Sequence, residues 1–396
     1  MDQLNCEHLL QAGGPTYLVV KAVLEPAGGL DRFQPAGFPE VGHVLYDAPR
    51  AGNSIERVCI VDSAASMANH LETVCLMGPN DPGLHADLAG LPYVACVTDR
   101  EYEVGDDGKI VLDPKDPHDR VVCTTLTEGH RLASDYFLDG LVRPQWKEER
   151  KRKAKKAEEK EEVVPAHWEG TPFRRELRES FGLVEVKKDK TYFTYPENWW
   201  SIYRTIFRYD PNSLVHGVLF AREQIKISRF LSAHMEAFGA ARVGRSGVKF
   251  DRLGKTISGQ PIFAVDEETA REVRATFIVD LALLRSYGRG SDGLNESQKR
   301  LVLELAIWKM QRLLEGPFRF RSGCHLVCGS KEVASERIAW RDLPTVDVQQ
   351  AIGECGFSKD AVTKVYYPAS ELFQVKPEAA AAEEPEIETS EEEGED

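Results

Sequence analysis

Ser213-Leu214-Val215-His216-Gly217-Val218-Leu219-Phe220-Ala221-Arg222 opens the stretch on which the fold assignment turns. Its apolar and β-branched residues read as a strand. Glu223–Phe238 then reads as a helix, because Ile227, Leu231, Met235 and Phe238 recur at helical spacing and Gly239 is a natural C-terminal stop. Short strands are expected at Val248–Asp251 and Pro261–Val265. A more thoroughly apolar helix runs from about Glu296 to Glu315 and stops at Gly316, and Phe318–Val327 reads as a final strand. Strand, helix, two strands, helix, strand is the split βαβ, ferredoxin-like order that RNA-recognition folds share. The expected class is therefore α+β, and a fold alone assigns no function.

Towards the N-terminus, Thr16–Glu25 is rich in β-branched and aromatic residues and ends at Pro26, so it reads as a core strand. An irregular loop starts at Gly28-Gly29. Arg57–Asp62 is a second strand candidate, and Ser63 is placed to cap a short helix through Glu72. Residues 78–92 hold several Gly and Pro and read as loop. Lys147–Glu162 has no apolar side chain larger than alanine apart from its charges, so it cannot face a core. It is either an exposed helix held by Glu–Lys pairs or a mobile insertion. Residues 1–376 are read as one core with insertions. From Pro377 to Asp396 there are ten acids and no Lys or Arg, the composition of a solvated, disordered tail.

The chain has 396 residues and a formal net charge of −14, of which that tail supplies −10, leaving −4 for the rest. A nucleic-acid surface would therefore have to be local. No secretory signal is visible at the N-terminus, and Tyr17–Leu24 is far too short to span a bilayer, so a cytoplasmic protein without membrane contact is expected. The eight cysteines are scattered. Cys324 and Cys328 have no second close pair to complete a zinc site, so buried free thiols and no metal are expected.

Common catalytic patterns are absent. Gly244-Arg245-Ser246-Gly247-Val248 lacks the closing glycine of a nucleophile elbow, and Gly288–Gly293 lacks the Lys-Ser/Thr of a phosphate loop. His216 lies in an apolar pattern and reads as a core histidine, and His325 between the two cysteines is the best remaining metal or acid–base candidate, a weak one. No cofactor is expected. Basic residues concentrate between Arg222 and Lys255. Lys226 and Arg229 share a face of the expected helix, and Arg242, Arg245, Lys249 and Arg252 follow among glycines that let a backbone approach phosphate. Phe250 offers a stacking surface there. Arg319 and Arg321 alternate with Phe318 and Phe320, which puts both arginines on one face of a strand.

Several long segments resemble one family. They are Arg32–Gly42, Asp62–Glu72, Ser213–Gly217, Arg242–Arg252 and Phe318–Cys324. Together they are similar to the CRISPR-associated, RAMP-superfamily backbone subunit of the type I-G (formerly I-U) Cascade effector, over roughly Tyr17 to Val327. The resemblance implies an RNA-recognition-type palm with large insertions forming finger and thumb elements. It implies a non-catalytic subunit that coats the spacer of a CRISPR RNA in several copies and meets target DNA through the guide. Implied partners are further copies, the large subunit and the guide-processing subunit. Sequence reading is then delegated to base pairing and the protein needs a sequence-tolerant grip. The expected RNA contacts are a phosphate group of Arg229, Arg242, Arg245, Lys249 and Arg252, a polar group of Arg32, Gln34, Ser63, Ser66 and Asn69, and in addition Lys226, Arg319 and Arg321. Two other classes stay open: a metal-dependent ribonuclease of the same superfamily using Asp251 or Asp292, and an assembly subunit that touches only protein.

Overall fold

A computed structural model describes residues 5–38, 42–78, 81–98, 102–104, 110–112, 120–147, 150–152, 162–164, 167–188, 191–244, 267–316, 318–321, 323–329, 338–339, 343–358 and 361–367. Its centre is a strand whose inward residues alternate. In β1 (Tyr17–Pro26), Leu18, Val20, Ala22 and Leu24 are buried while the residues between them are half exposed. That period-two pattern is what a strand with one covered face requires. β2 (Leu45–Pro49) and β3 (Ile55–Asp62) form a hairpin, and α1 (Ala64–Thr73) follows β3 directly. β4 (Leu231–Phe238) and β5 (Glu272–Asp280) bury Ala233, Met235, Val273, Ala275, Phe277 and Val279. α2 (Glu296–Glu315) is buried at every position from Leu301 to Met310, and its first turn is closed by a capping box of Asn295 and Gln298. β6 (Phe318–Arg321) and β7 (Cys324–Cys328) complete the set.

These strands make one sheet in the order β6-β7-β1-β5-β4-β3-β2, with Ile338–Ala339 parallel beside β1. Every other pairing along that order is antiparallel. α1 packs on β4, and α2 packs on α1 and β7. A second sheet runs in the order Arg120–Thr124, Tyr93–Thr98, Val362–Tyr366, Leu141–Lys147, His167–Pro172. Helices Phe173–Phe181, Trp199–Tyr209 and Pro211–His216 follow the strand His167–Pro172 in the chain, and the last packs on α2 and β4. The whole is a mixed α/β structure.

The two ends of the sequence reading fare differently. β1, β3, α1 and α2 stand where expected, with Ser63 as the N-cap of α1. Ser213–Arg222 is not a strand. It opens inside the helix Pro211–His216, which Pro211 starts, and only Val218–Phe220 is extended. Glu223–Phe238 is not a helix. It holds the strand Ile225–Ile227 and then β4, so Lys226 and Arg229 share no helix face. Leu231 and Met235 are four apart, a spacing that period two satisfies as well as period 3.6, and Ala233 between them and Ala237 after them tip the balance by burying alternately. Gly239, at φ +64°, turns the chain after a strand rather than a helix.

Phe318–Val327 is a hairpin, not one strand. Gly323 at φ +81° makes the turn, and the ladder shifts register between Arg319 and Arg321, so strict alternation does not hold there. Residues 78–92 include the strand Asp81–Leu84 and the short helix Ala86–Leu88. In the charged segment, Arg150–Arg152 pairs with Glu162–Val164 as a β-ladder, not a helix. The expected strands at 248–251 and 261–265 and the acidic tail lie outside the described residues.

Candidate nucleic-acid interface

α1 is where the first expected contacts converge. Ser63 Oγ accepts the Ser66 amide at 3.2 Å, and Ser66 Oγ donates to Asp62 Oδ2 at 3.0 Å. Asp62 Oδ1 accepts the Ser63 amide at 3.1 Å, and His70 Nε2 lies 3.1 Å from Asp62 Oδ2. The two hydroxyls therefore serve the helix start first. Asn69 is exposed on the same helix.

The inner face of α1 carries a carboxylate instead of a fourth apolar residue. Glu72 is only 2% exposed. Its oxygens accept from Arg131 Nε at 2.6 Å, Arg131 Nη2 at 2.9 Å and Asn212 Nδ2 at 2.7 Å. Arg131 sits at φ +54° and also donates to the carbonyls of Gly129 and Gly217. Lys309, fully buried in α2, donates from Nζ to Asn212 Oδ1 and, at 3.0 Å, to His216 Nε2. A bare ammonium in that position would be costly, and these acceptors are what make it tolerable. Burial, followed by the positive charges of Lys309, Arg131 and Arg229, holds His216 well below the usual histidine range, so it stays neutral. Its Nδ1 has no hydrogen-bond partner among the described residues. Asp210 receives Ser213 Oγ at 2.6 Å, yet burial pushes its carboxyl up to about 7.

Above this network lies an open cleft of about 510 Å³. Arg131, Arg174, Arg222, Lys226 and Arg229 line it, against Asp135 as the one acid in the lining. Arg174 is held by Asp135 at 2.8 Å and Asp139 at 2.9 Å. Arg222 and Lys226 are exposed and have no acidic partner among the described residues. Arg229 is half-buried and donates to the Ala64 carbonyl at 3.0 Å, which ties the cleft to the start of α1. Burial and then the charge of Arg131 push its pKa down. His216 and Gly217 form part of the wall. Gly217 has φ +79°, and a Cβ there would meet the backbone of Ile227 and Arg229 at 2.9 Å, so only glycine lets the two segments pass so closely. Cations on a concave wall with exposed backbone focus positive potential, the arrangement that favours a polyanion.

The expected RNA-binding residues do not form one patch. Lys226 and Arg229 lie in the cleft, with Ser63, Ser66 and Asn69 on the helix beside it. Arg32 and Arg242 lie on a separate small sheet in the order Arg32–Phe33, Glu267–Thr269, Ala241–Val243. Arg32 Nε is bound to Glu267 Oε2 at 2.9 Å. Gln34 joins this group through its amide, which donates to the Gly323 carbonyl in the β6–β7 turn at 2.9 Å. β4 runs between Arg229 and Arg242, and its eight residues alone span roughly 25 Å at the usual rise per strand residue. Arg319 and Arg321 face His325 and Cys324 in backbone register. Arg245, Lys249, Phe250 and Arg252 lie outside the described residues, as does Asp251. Asp292 is exposed in a tight hairpin opposite Arg289. Among the described residues no three His, Cys, Asp or Glu side chains are grouped as metal ligands, and no helix is long and apolar enough to cross a membrane. Sequence reasoning missed Arg131 and Arg174 and the network beneath them. The available signal was Lys309, a lone cation in the apolar run Leu301–Met310.

A family model described as CRISPR-associated protein GSU0053 matches residues 18–242, more than half of the chain. No curated protein matches it significantly.

Proposed function

Because this chain belongs to that CRISPR-associated family, we propose that it is the guide-RNA-binding backbone subunit of a type I-G surveillance complex. In this reading it is non-catalytic and coats the spacer of the CRISPR RNA in several copies, leaving bases free to pair with target DNA. The observation that carries the reading is the open cleft, with Arg222 and Lys226 lacking acidic partners among the described residues and Arg229 and Arg131 positioned behind them. The exposed Arg222 and Lys226, backed by Arg229 and by the paired Arg131 and Arg174 around a wall containing Gly217, suit successive phosphates and no particular base, which is the grip such a subunit needs. The strand order β7-β1-β5-β4, antiparallel throughout and connected through α1 and α2, supports an RNA-recognition-type palm into which the remaining elements are inserted. The family's place in CRISPR defence supports the partners: other copies, a large subunit and a guide-processing subunit.

The test is purification from cells that carry the matching CRISPR array and the other effector subunits. RNA of uniform length should accompany the chain, and Arg222→Glu with Lys226→Glu should remove it. An assembled complex from which this chain can be stripped without releasing RNA would refute the reading. Divalent-metal-dependent RNA cleavage by the purified chain would refute its non-catalytic part.

A further inference from the structure

The described chain ends beside the cleft. Tyr366 pairs with Leu141 on the second sheet. A Cβ on Gly140 would lie 3.1 Å from the Tyr366 carbonyl oxygen and 3.3 Å from that of Tyr136. Tyr136 belongs to the short helix Asp135–Leu138, and both ends of that helix line the cleft. Eleven positions (378 − 367) separate Tyr367 from Glu378, the first of ten acids in a stretch without Lys or Arg. Eleven residues reach at most about 36–40 Å. The cleft offers that stretch Arg222 and Lys226 without acidic partners among the described residues, and a wall histidine, His216, whose Nδ1 is unpartnered among them.

We infer that the acidic segment 378–396 of this same chain occupies the cleft when no guide RNA is bound, and that RNA must displace it. The inference rests on the reading of the cleft as the polyanion site. Carboxylates and phosphates compete for the same guanidinium and ammonium donors. A short tether raises the local concentration of the segment to about the millimolar range, so contacts too weak to hold a free peptide suffice. A guide RNA presents many phosphates to several copies at once and outcompetes the segment, whereas a brief encounter with unrelated RNA does not. The device would raise selectivity for the cognate guide without any base-specific contact.

The experiment uses the full chain and a full-length version in which the ten acids from Glu378 to Asp396 are changed to Gln or Asn. Carbodiimide treatment of the RNA-free protein should join Lys226 to a carboxylate within 378–396. Lys226→Arg keeps the charge, removes the amine and should abolish that product, as should added single-stranded RNA. The neutralised version should bind RNA about 2- to 10-fold tighter at low salt, from a local concentration near or above the segment's own dissociation constant. The gap should close as salt is raised. Equal affinities and no such product, with RNA binding still weakened by Arg222→Glu and Lys226→Glu, would overturn the inference while leaving the cleft reading intact. RNA binding indifferent to that charge reversal would overturn both. A product that forms only between chains, rising with protein concentration, would assign the cleft to a neighbouring copy's segment and overturn the intramolecular form.

Discussion

Replacing Glu72 by alanine removes the anion on which the floor of the cleft is built. The native carboxylate is 2% exposed and receives three hydrogen bonds, two from Arg131 and one from Asn212. Without it the Arg131 guanidinium, itself 7% exposed, retains only the carbonyls of Gly129 and Gly217. Breaking a buried pair by deleting one partner costs about 3–5 kcal/mol, because the survivor is left as an uncompensated charge. The stranded Asn212 amide adds to this, though not independently, since both losses belong to one network. Lys309 and Arg229 stand close by, so the loss should fall towards the upper part of that range. The assay is denaturant unfolding followed by circular dichroism, with melting temperature as a second readout. Adding Arg131→Met should return a large part of the lost stability, because it removes the stranded charge. RNA affinity should fall for every sequence in the double variant, since Arg131 lines the cleft. A loss below about 1 kcal/mol for Glu72→Ala would show that water reaches this pair. A double variant no more stable than the single one would show that the pair is not the reason for the loss.

Asp210 gives a pH test. Its folded pKa is raised to about 7 while an unfolded aspartate titrates near 3.9, so between those values the native state holds the extra proton. Stability should therefore fall as pH rises from about 4 to about 7. Asp210→Asn should flatten that segment, gaining on the parent up to at most about 4 kcal/mol by pH 8, and parallel unfolding curves at all pH values would refute the assignment. Arg222→Glu with Lys226→Glu should weaken binding to unrelated single strands equally and lower the salt slope by roughly 0.7 per lost contact. An unchanged slope in a folded variant would remove them from the RNA surface. Ser63→Ala should cost about 1 kcal/mol as a lost cap, and Ser63→Asn should restore stability. If Ser63→Asn also restores full RNA affinity, the hydroxyl's role is capping alone.

How far the sequence could be read depended on the range of the signal. β1 alternates along ten residues and α1 begins on a capping serine, so both announce themselves locally. β4 does not. Its large apolar residues fall at Leu231 and Met235, a spacing common to strand and helix, and Ala233 and Ala237 carry the alternation with side chains too small to stand out. The helix Pro211–His216 starts at Pro211, two residues before the apolar run Ser213–Arg222 whose composition suggests a strand, so its start signal lies outside the stretch that stands out. The cleft was legible only in part. Lys226 and Arg229 stand out in a basic stretch, but Arg131 and Arg174 come from positions 98 and 55 residues earlier than Arg229 (229 − 131, 229 − 174) and acquire meaning only through packing.

The buried charges help to explain why this wall is positive. Arg131, Lys309 and Arg229 contribute three positive charges next to the negative charge of Glu72, since His216 stays neutral and Asp210 holds its proton below about pH 7, while Arg174 is offset by Asp135, Asp139 and the buried Glu223. In a medium where such charges are weakly screened, that excess extends into the cleft. Glu72 fixes the Arg131 side chain by two parallel hydrogen bonds, so no rotamer freedom remains to be lost when an anion arrives. Arg32 shows the contrast. Its Nε is bound to Glu267 on an exposed edge, so an arriving phosphate must first displace a carboxylate and order a solvated side chain. A preorganised cation excess therefore favours the cleft over the small sheet as the place where an RNA backbone is first gripped.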